Sequence, residues 1–231
     1  MKTIGLIGGM SWESSVLYYE TLNRTVQKRL GGSHSCQILL YSVDFAEIAR
    51  FQHEGRWDLL SARMIDAARR LEAGGAEMLL ICANTMHKVA DDVQKSVSIP
   101  LLHIVDAAGE RIQERSLRTL GLLATRYAME EGFLRDRYRE RFGIETVIPG
   151  EKDRADIHRI IYEELVKGIT TEQSKRRFLE IIYRLIQSGA QGIIAGCTEI
   201  EILIRPSDIS VELFETAKLH AEKAVDIALA P

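Results

Sequence analysis

The stretch Gly-Ala-Gln-Gly-Ile-Ile-Ala-Gly-Cys-Thr-Glu-Ile at positions 189–200 decides the fold. A Gly-Ala turn opens an uncharged apolar run that is too short for a helix and ends at Cys197. Two polar residues, Thr198 and Glu199, then suit the first turn of a helix. A buried strand that runs straight into a helix is the building unit of a parallel α/β sheet. The same phrase occurs earlier in the chain: Gly75-Ala76-Glu77, an apolar run at 78–82, then Ala83-Asn84-Thr85-Met86.

Working outward, apolar runs at 3–7, 37–42, 77–82 and 100–104 read as strands, with amphipathic segments at 14–29, 57–73 and 84–95 as helices between them. The second half repeats the plan, with strands at 120–124, 145–148, 192–196 and 211–214 and helices at 131–142, 155–167 and 172–188. The fold class is therefore α/β: two similar Rossmann-like units with parallel sheets, related by a pseudo-twofold, with the active site expected between them. The repeat reaches the level of residues. Thr3-Ile4-Gly5-Leu6-Ile7 matches Thr119-Leu120-Gly121-Leu122-Leu123, and Ile99-Pro100-Leu101-Leu102 falls opposite Ile209-Ser210-Val211-Glu212. The expected division is 1–103 and 104–209, with a closing helix within 210–231 that packs back on the first unit. The charge-rich segment 149–156 reads as a loop.

Composition narrows the function. Apolar residues make up 46% of the 231-residue chain, enough for two cores, and the formal net charge of −3 offers nothing to attract nucleic acid or an anionic membrane. No apolar run is long enough to span a bilayer. The three cysteines, Cys36, Cys82 and Cys197, show no CxxC spacing, which fits reduced thiols in the cytoplasm. No His/Cys cluster has metal-ligand spacing, so no metal is expected. Gly5, Gly8 and Gly9 follow a strand, but their spacing is not that of a dinucleotide fingerprint.

Ligands of parallel α/β sheets bind beyond the carboxyl ends of the strands. Aligning the two phrases on Gly-Ala puts Ala83 opposite Cys197, both at such an end. A helix N-terminus there is expected to lower the thiol pKa and favour proton transfer near neutrality. Asn84, Thr85 and Thr198 are candidates to hold a carboxylate at the two helix starts. Cys82, one residue out of phase in its strand, is expected to face the sheet packing.

Taken in order, Gly-Leu-Ile-Gly-Gly-Met-Ser-Trp-Glu at 5–13, Ser-Val-Asp-Phe at 42–45 with Gln52 following, Asn-Thr-Met-His at 84–87 and Gly-Cys-Thr-Glu-Ile at 196–200 resemble the aspartate/glutamate racemase family over nearly the whole chain. The likeness is greatest to the racemases specific for L-aspartate and L-glutamate. The resemblance implies racemisation without pyridoxal phosphate or any other cofactor, in a cytoplasmic homodimer. Two residues flank the α-carbon, one removing its proton and the other reprotonating the opposite face. Both are cysteines in the usual pattern. Cys197 carries over; the other position is Ala83, which cannot carry a proton. Met10, Gln52, Ala83, Asn84, Thr85, Thr125, Thr198 and Glu199 are the substrate-binding residues the resemblance implies. Loss of one proton carrier keeps two alternatives open: an amino-acid or dicarboxylate binding protein with impaired catalysis, and a related isomerase, such as one acting on maleate or hydantoins.

Overall fold

The computed structural model describes residues 1–230 and divides the chain into two units: Met1–Ile104 together with the chain from Ala217, and Val105–Thr216. In chain order the first unit contains β1 (Ile4–Gly8), α1 (Trp12–Leu30), β2 (Ile38–Ser42), α2 (Phe45–His53), α3 (Trp57–Ala73), β3 (Met78–Ile81), a 3₁₀ turn (Thr85–Val89) and α4 (Ala90–Ser96). Then follow α5 (Ile104–Glu114), β4 (Thr119–Ala124), α6 (Arg126–Glu130), α7 (Phe133–Phe142), β5 (Glu145–Val147), α8 (Glu151–Glu163), α9 (Glu172–Gln187), β6 (Gly192–Gly196), α10 (Thr198–Leu203), β7 (Glu212–Glu215) and α11 (Thr216–Leu229).

Each unit is built on its own parallel sheet, in the order β2-β1-β3 in the first and β5-β4-β6-β7 in the second. The pairing registers repeat. Ile4, Leu6 and Ile7 oppose Met78, Leu80 and Ile81, just as Leu120, Leu122 and Leu123 oppose Gly192, Ile194 and Ala195. The offsets of 116 between first strands and 114 between third strands found in the sequence are thus the offsets of the hydrogen-bonded ladders.

The fourth strand differs. The segment 100–104, expected as a strand, is reduced to a single bridge from Leu101 to Leu79, whereas β7 pairs with β6 over four residues. Leu213 opposes Ile193 as Leu101 opposes Leu79, so the true offset here is 112 (213 − 101), not 110. This pairing also corrects the boundary. Residues 210–216 belong to the second unit, because β7 is the edge strand of its sheet.

The helices place the apolar residues where the strands need cover. On one face of the first sheet, Leu60, Met64, Ala67, Ala68 and Leu71 of α3 pack with Ile7, Leu79 and Ile81. On the other, Tyr18, Leu22 and Val26 of α1 and Ala217, Ala221, Ala224 and Val225 of α11 pack with Ile4, Leu6, Leu80 and Cys82. Every one of these residues is essentially removed from water, and burial of each large side chain contributes about 1.5–3 kcal/mol. Alanines at spacings of three and four let α11 lie close to the sheet.

Three helices escaped the sequence reading. α2, α5 and α6 are short or begin directly after a strand end, and α5 lies where a strand was expected to finish. The segment 149–156 is not a loop: α8 starts at Glu151, and Arg154 N–H bonds the carbonyl of Gly150. Its charges are helix-compatible for a physical reason. Glu151 and Asp153 occupy the first turn, where the dipole favours acids, and Arg177 of α9 bridges Asp153 and Asp156 at 2.6 and 2.7 Å.

Candidate active site

The carboxyl end of each sheet gathers the expected site residues into one cluster per unit. In the first unit, β1 runs into Gly9, whose φ of +90° is open to glycine alone. A side chain there would strike the backbone of Val43. At Gly8 a Cβ would lie 2.5 Å from the Ser15 hydroxyl, the same hydroxyl that accepts the Gly9 N–H at 2.8 Å. The glycines therefore serve close packing of the β1–α1 and β2–α2 turns. Met10 follows, and its side chain is buried in the core with Ile7, Val43 and Ile48. Only its main chain is left for a ligand.

Gln52 lies on α2, almost fully buried, and its amide nitrogen donates to the Met86 sulfur at 3.3 Å. That contact ties α2 to the turn holding Ala83, Asn84 and Thr85. Asn84 and Thr85 are buried as well. The turn is fixed from behind by His87. Its Nδ1–H donates to the Ala83 carbonyl at 2.9 Å and its Nε2 accepts the Ile104 N–H at 3.1 Å. Those two partners select one neutral tautomer. His103 stacks edge-on at 4.5 Å between centroids, and His220 lies 5.8 Å from His87. His220 is wholly buried, accepts the Tyr18 hydroxyl on Nδ1 at 2.8 Å and donates Nε2–H to the Leu102 carbonyl at 2.9 Å. Burial, with His87 nearby, lowers its pKa to about 3. Behind Ala83 stand the neutral imidazoles of His87 and His220, and at position 83 there is no titratable group.

The second unit is built differently at the equivalent place. Ala124 opposes Gly196 across β4 and β6, so Thr125 and Cys197 leave the sheet side by side. Thr125 caps α6 by accepting the Ala128 N–H at 3.4 Å. Cys197 takes the N-cap position of α10 with extended backbone, φ −152° and ψ 127°. Its thiol donates to Glu199 Oε2 at 2.9 Å, and the Thr198 hydroxyl donates to the same oxygen at 3.0 Å. Cys197, Thr198 and Glu199 are all buried, with relative exposures of 8%, 5% and 3%.

This environment overturns the expected lowering of the thiol pKa. Burial, then the charge of Glu199, push the Cys197 thiol well up. A thiolate would lose its hydration and face a carboxylate, and α10 spans only six residues, so its dipole does not outweigh both. The resting pair is therefore a thiol hydrogen-bonded to an acceptor. Cys82 is buried in the core with Ile4, Leu6 and Leu80, and burial alone pushes its thiol up.

The sequence reading missed the aromatic cluster beside Cys197. Tyr162 of α8 lies in the field of Cys197 and Glu199, and burial, then Tyr127, then those two groups hold its phenol protonated. Its ring is 4.6 Å from that of His158, which is 5.6 Å from Tyr127. The spacing of His158 and Tyr162, one helical turn apart and both turned inward, was a visible signal. No group of three His, Cys, Asp or Glu residues among those described could hold a metal ion, and no described helix is long and apolar enough to cross a membrane.

A buried thiol paired with a carboxylate ends a parallel strand, in an α/β chain whose two sheets repeat one register. The family model for Asp/Glu/hydantoin racemases matches residues 7–224, and the chain belongs to that family. A candidate Asp/Glu racemase from Yersinia pestis is 48% identical, with both chains covered fully and a TM-score of 0.92. An aspartate racemase homologue from Pyrococcus horikoshii OT3 is 35% identical, again over 100% of both chains, with a TM-score of 0.83. The broad specificity amino-acid racemase RacX of Bacillus subtilis (strain 168) is 22% identical over 98% of each chain.

Proposed function

We propose that this protein removes and returns the α-proton of L-aspartate or L-glutamate without pyridoxal phosphate, using Cys197 as the acid/base group and Glu199 as its proton partner. The observation that carries the reading is the 2.9 Å hydrogen bond from the buried Cys197 thiol to the Glu199 carboxylate. It fits the motifs of the family and the amino-acid racemases among the relatives.

The chemistry follows from the pair. A thiol cannot abstract a proton, so the first step transfers the S–H proton to Glu199. The thiolate then takes the proton from the α-carbon: the C–H bond breaks, an S–H bond forms, and the electron pair spreads into the substrate carboxylate. Asn84, Thr85, Thr125 and Thr198, with the main chain at Met10, are the groups assigned to hold the substrate's polar ends. Donors aimed at the carboxylate stabilise the charge that develops on it. Gln52 is assigned to the amino or carboxylate group. Return of a proton from Cys197 restores the starting isomer. Inversion requires delivery on the opposite face, which the reading assigns to the Ala83–Asn84–Thr85 turn. Alanine supplies no proton there, so water must. Exchange with solvent should accordingly outrun inversion.

The test follows the α-proton NMR signals of L- and D-aspartate and L- and D-glutamate in heavy water. The expected result is loss of the L-isomer's α-proton signal ahead of any appearance of the D-isomer. A panel extended to maleate and a hydantoin separates the sister reactions; conversion of either in place of amino-acid exchange overturns the substrate assignment. A second reading, an amino-acid or dicarboxylate binding protein without turnover, is favoured by Ala83 alone. Calorimetric binding with no exchange over hours would select it.

A further inference from the structure

Helix α6 is too short to hold its own first turn. It spans the five residues Arg126–Glu130, directly after Thr125, and the first N–H groups of a helix have no partner inside it. In the first unit the loop after β1 meets the same need locally: the Gly9 N–H donates to the Ser15 hydroxyl of the following helix at 2.8 Å. The sequence of α6, Arg-Tyr-Ala-Met-Glu, has no serine or threonine for this. The Arg126 N–H donates instead to Nδ1 of His158, on α8, at 3.3 Å. Arg126 is the chain neighbour of Thr125, which leaves β4 beside Cys197.

His158 is suited to that bond. Because Nδ1 accepts, the single hydrogen of the neutral ring sits on Nε2. Burial, then the Arg126 guanidinium, lower the pKa of His158, with Glu130 acting the other way. The Nδ1 lone pair is therefore free of a proton at neutral pH. Glu130 is itself held by Arg154 at 2.8 Å. Two tyrosines keep the ring in place. Tyr162, one turn further along α8, has its ring centroid 4.6 Å away, and Tyr127 of α6 meets the imidazole edge-on at 5.6 Å.

We propose that His158 is a positioning residue: its Nδ1 fixes the Arg126 N–H and, through it, the orientation of Thr125 toward the substrate. This rests on the reading above that Thr125 holds a polar end of the amino acid. His158 touches neither the substrate nor the reacting atoms. A contact that Thr125 makes equally in the ground and transition states sets KM and leaves kcat alone.

Two variants separate the hydrogen bond from the packing. His158→Asn keeps an acceptor, because Oδ1 of asparagine is bonded to Cγ as Nδ1 is, and it removes the ring. His158→Phe keeps a ring between the tyrosines and removes the acceptor. All three residues have similar helix propensities. The rate of α-proton exchange of L-aspartate and L-glutamate in heavy water is measured against substrate concentration for the parent and both variants. Amide hydrogen exchange on the full chains follows the segment 125–130, with α9 as the control for general unfolding.

His158→Phe is expected to raise KM about fivefold, the scale of one lost hydrogen bond, to keep kcat within about twofold, and to speed amide exchange in 125–130. His158→Asn is expected to match the parent in all three. The reverse order, with His158→Phe like the parent and His158→Asn impaired, would mean that the ring acts by packing and would overturn the proposal. So would a fall in kcat at unchanged KM in His158→Phe. The His158→Asn result decides alone if His158→Phe does not fold. Should the parent bind without exchange, Kd from calorimetry takes the place of KM. A parent that neither exchanges nor binds either amino acid overturns the reaction proposed above, and the role of Thr125 with it. A parent that exchanges, with both variants at its KM, overturns the role of His158 alone.

Discussion

The two sheet ends arise from one repeated phrase, yet they are chemically opposite. In the second unit the Cys197 thiol and the Thr198 hydroxyl each lie within 3.0 Å of one Glu199 carboxylate oxygen. In the first, Ala83, Asn84 and Thr85 present amide and hydroxyl only, and His87 and His220 stand behind the turn as neutral imidazoles, His87 holding the Ala83 carbonyl. Duplication supplies the positions; the side chains decide which position carries groups able to exchange a proton. One end is suited to acid/base work and the other to binding.

The sharpest way to break this contrast is to remove the carboxylate from the active pair. Glu199→Gln should lower α-proton exchange about 10²-fold at neutral pH, the usual scale of a lost proton-transfer partner. The sign of its pH dependence is also fixed. Glu199 raises the thiol pKa, so in the variant the rise of activity with pH should move to lower pH. A pH–rate profile of exchange checks both; a variant with the parent's limb would mean that Glu199 does not act on Cys197.

The structural character of the first unit's imidazoles is testable through stability. His220 has a folded pKa of about 3, below the ordinary histidine value of 6.5. A depressed pKa contributes stability that is fully present above the unfolded value and is lost as pH falls toward the folded one. Between pH 7 and pH 5 the parent should lose on the order of 2 kcal/mol relative to His220→Gln, at about 1.4 kcal/mol per pH unit below 6.5. Guanidinium unfolding of both proteins at the two pH values measures this. Equal losses would place the imidazole's proton outside the folding equilibrium.

The smallest expected effect would make the two ends alike. Ala83→Cys should raise the rate of inversion relative to exchange about tenfold, by supplying an acid/base group on the second face. Chiral chromatography of the amino acid, beside NMR exchange, gives that ratio. An unchanged ratio would mean that position 83 does not address the α-carbon.

Much of this was legible in the sequence for a reason that can be stated. The strands β1, β3, β4 and β6 are apolar runs buried on both faces, and the matching phrases at 75–86 and 189–200 gave the offset of the third strands before any geometry was known. Gln52 could be named as a candidate ligand-binding residue after the second strand, but its contact with the Met86 sulfur needs three dimensions. The fourth strand of the first unit failed because Leu101 makes one bridge and the chain then turns into α5, a tertiary outcome that local pattern does not encode. The charged segment at 149–156 looked like a loop because the partners of Asp153 and Asp156 lie some twenty residues away on α9. The thiol pKa was misjudged in sign for a similar reason. Helix position is written in the sequence, while burial and the turn of Glu199 onto the sulfur are not.

The central claim is that proton transfer at the α-carbon runs through the sulfur of Cys197. Its most direct test is the rate of deuterium uptake by L-aspartate and L-glutamate in heavy water, measured for the parent and for Cys197→Ala under identical conditions. The account predicts uptake by the parent and a fall of about 10³-fold, to the solvent background, in the variant. Uptake by Cys197→Ala at the parent's rate would contradict it.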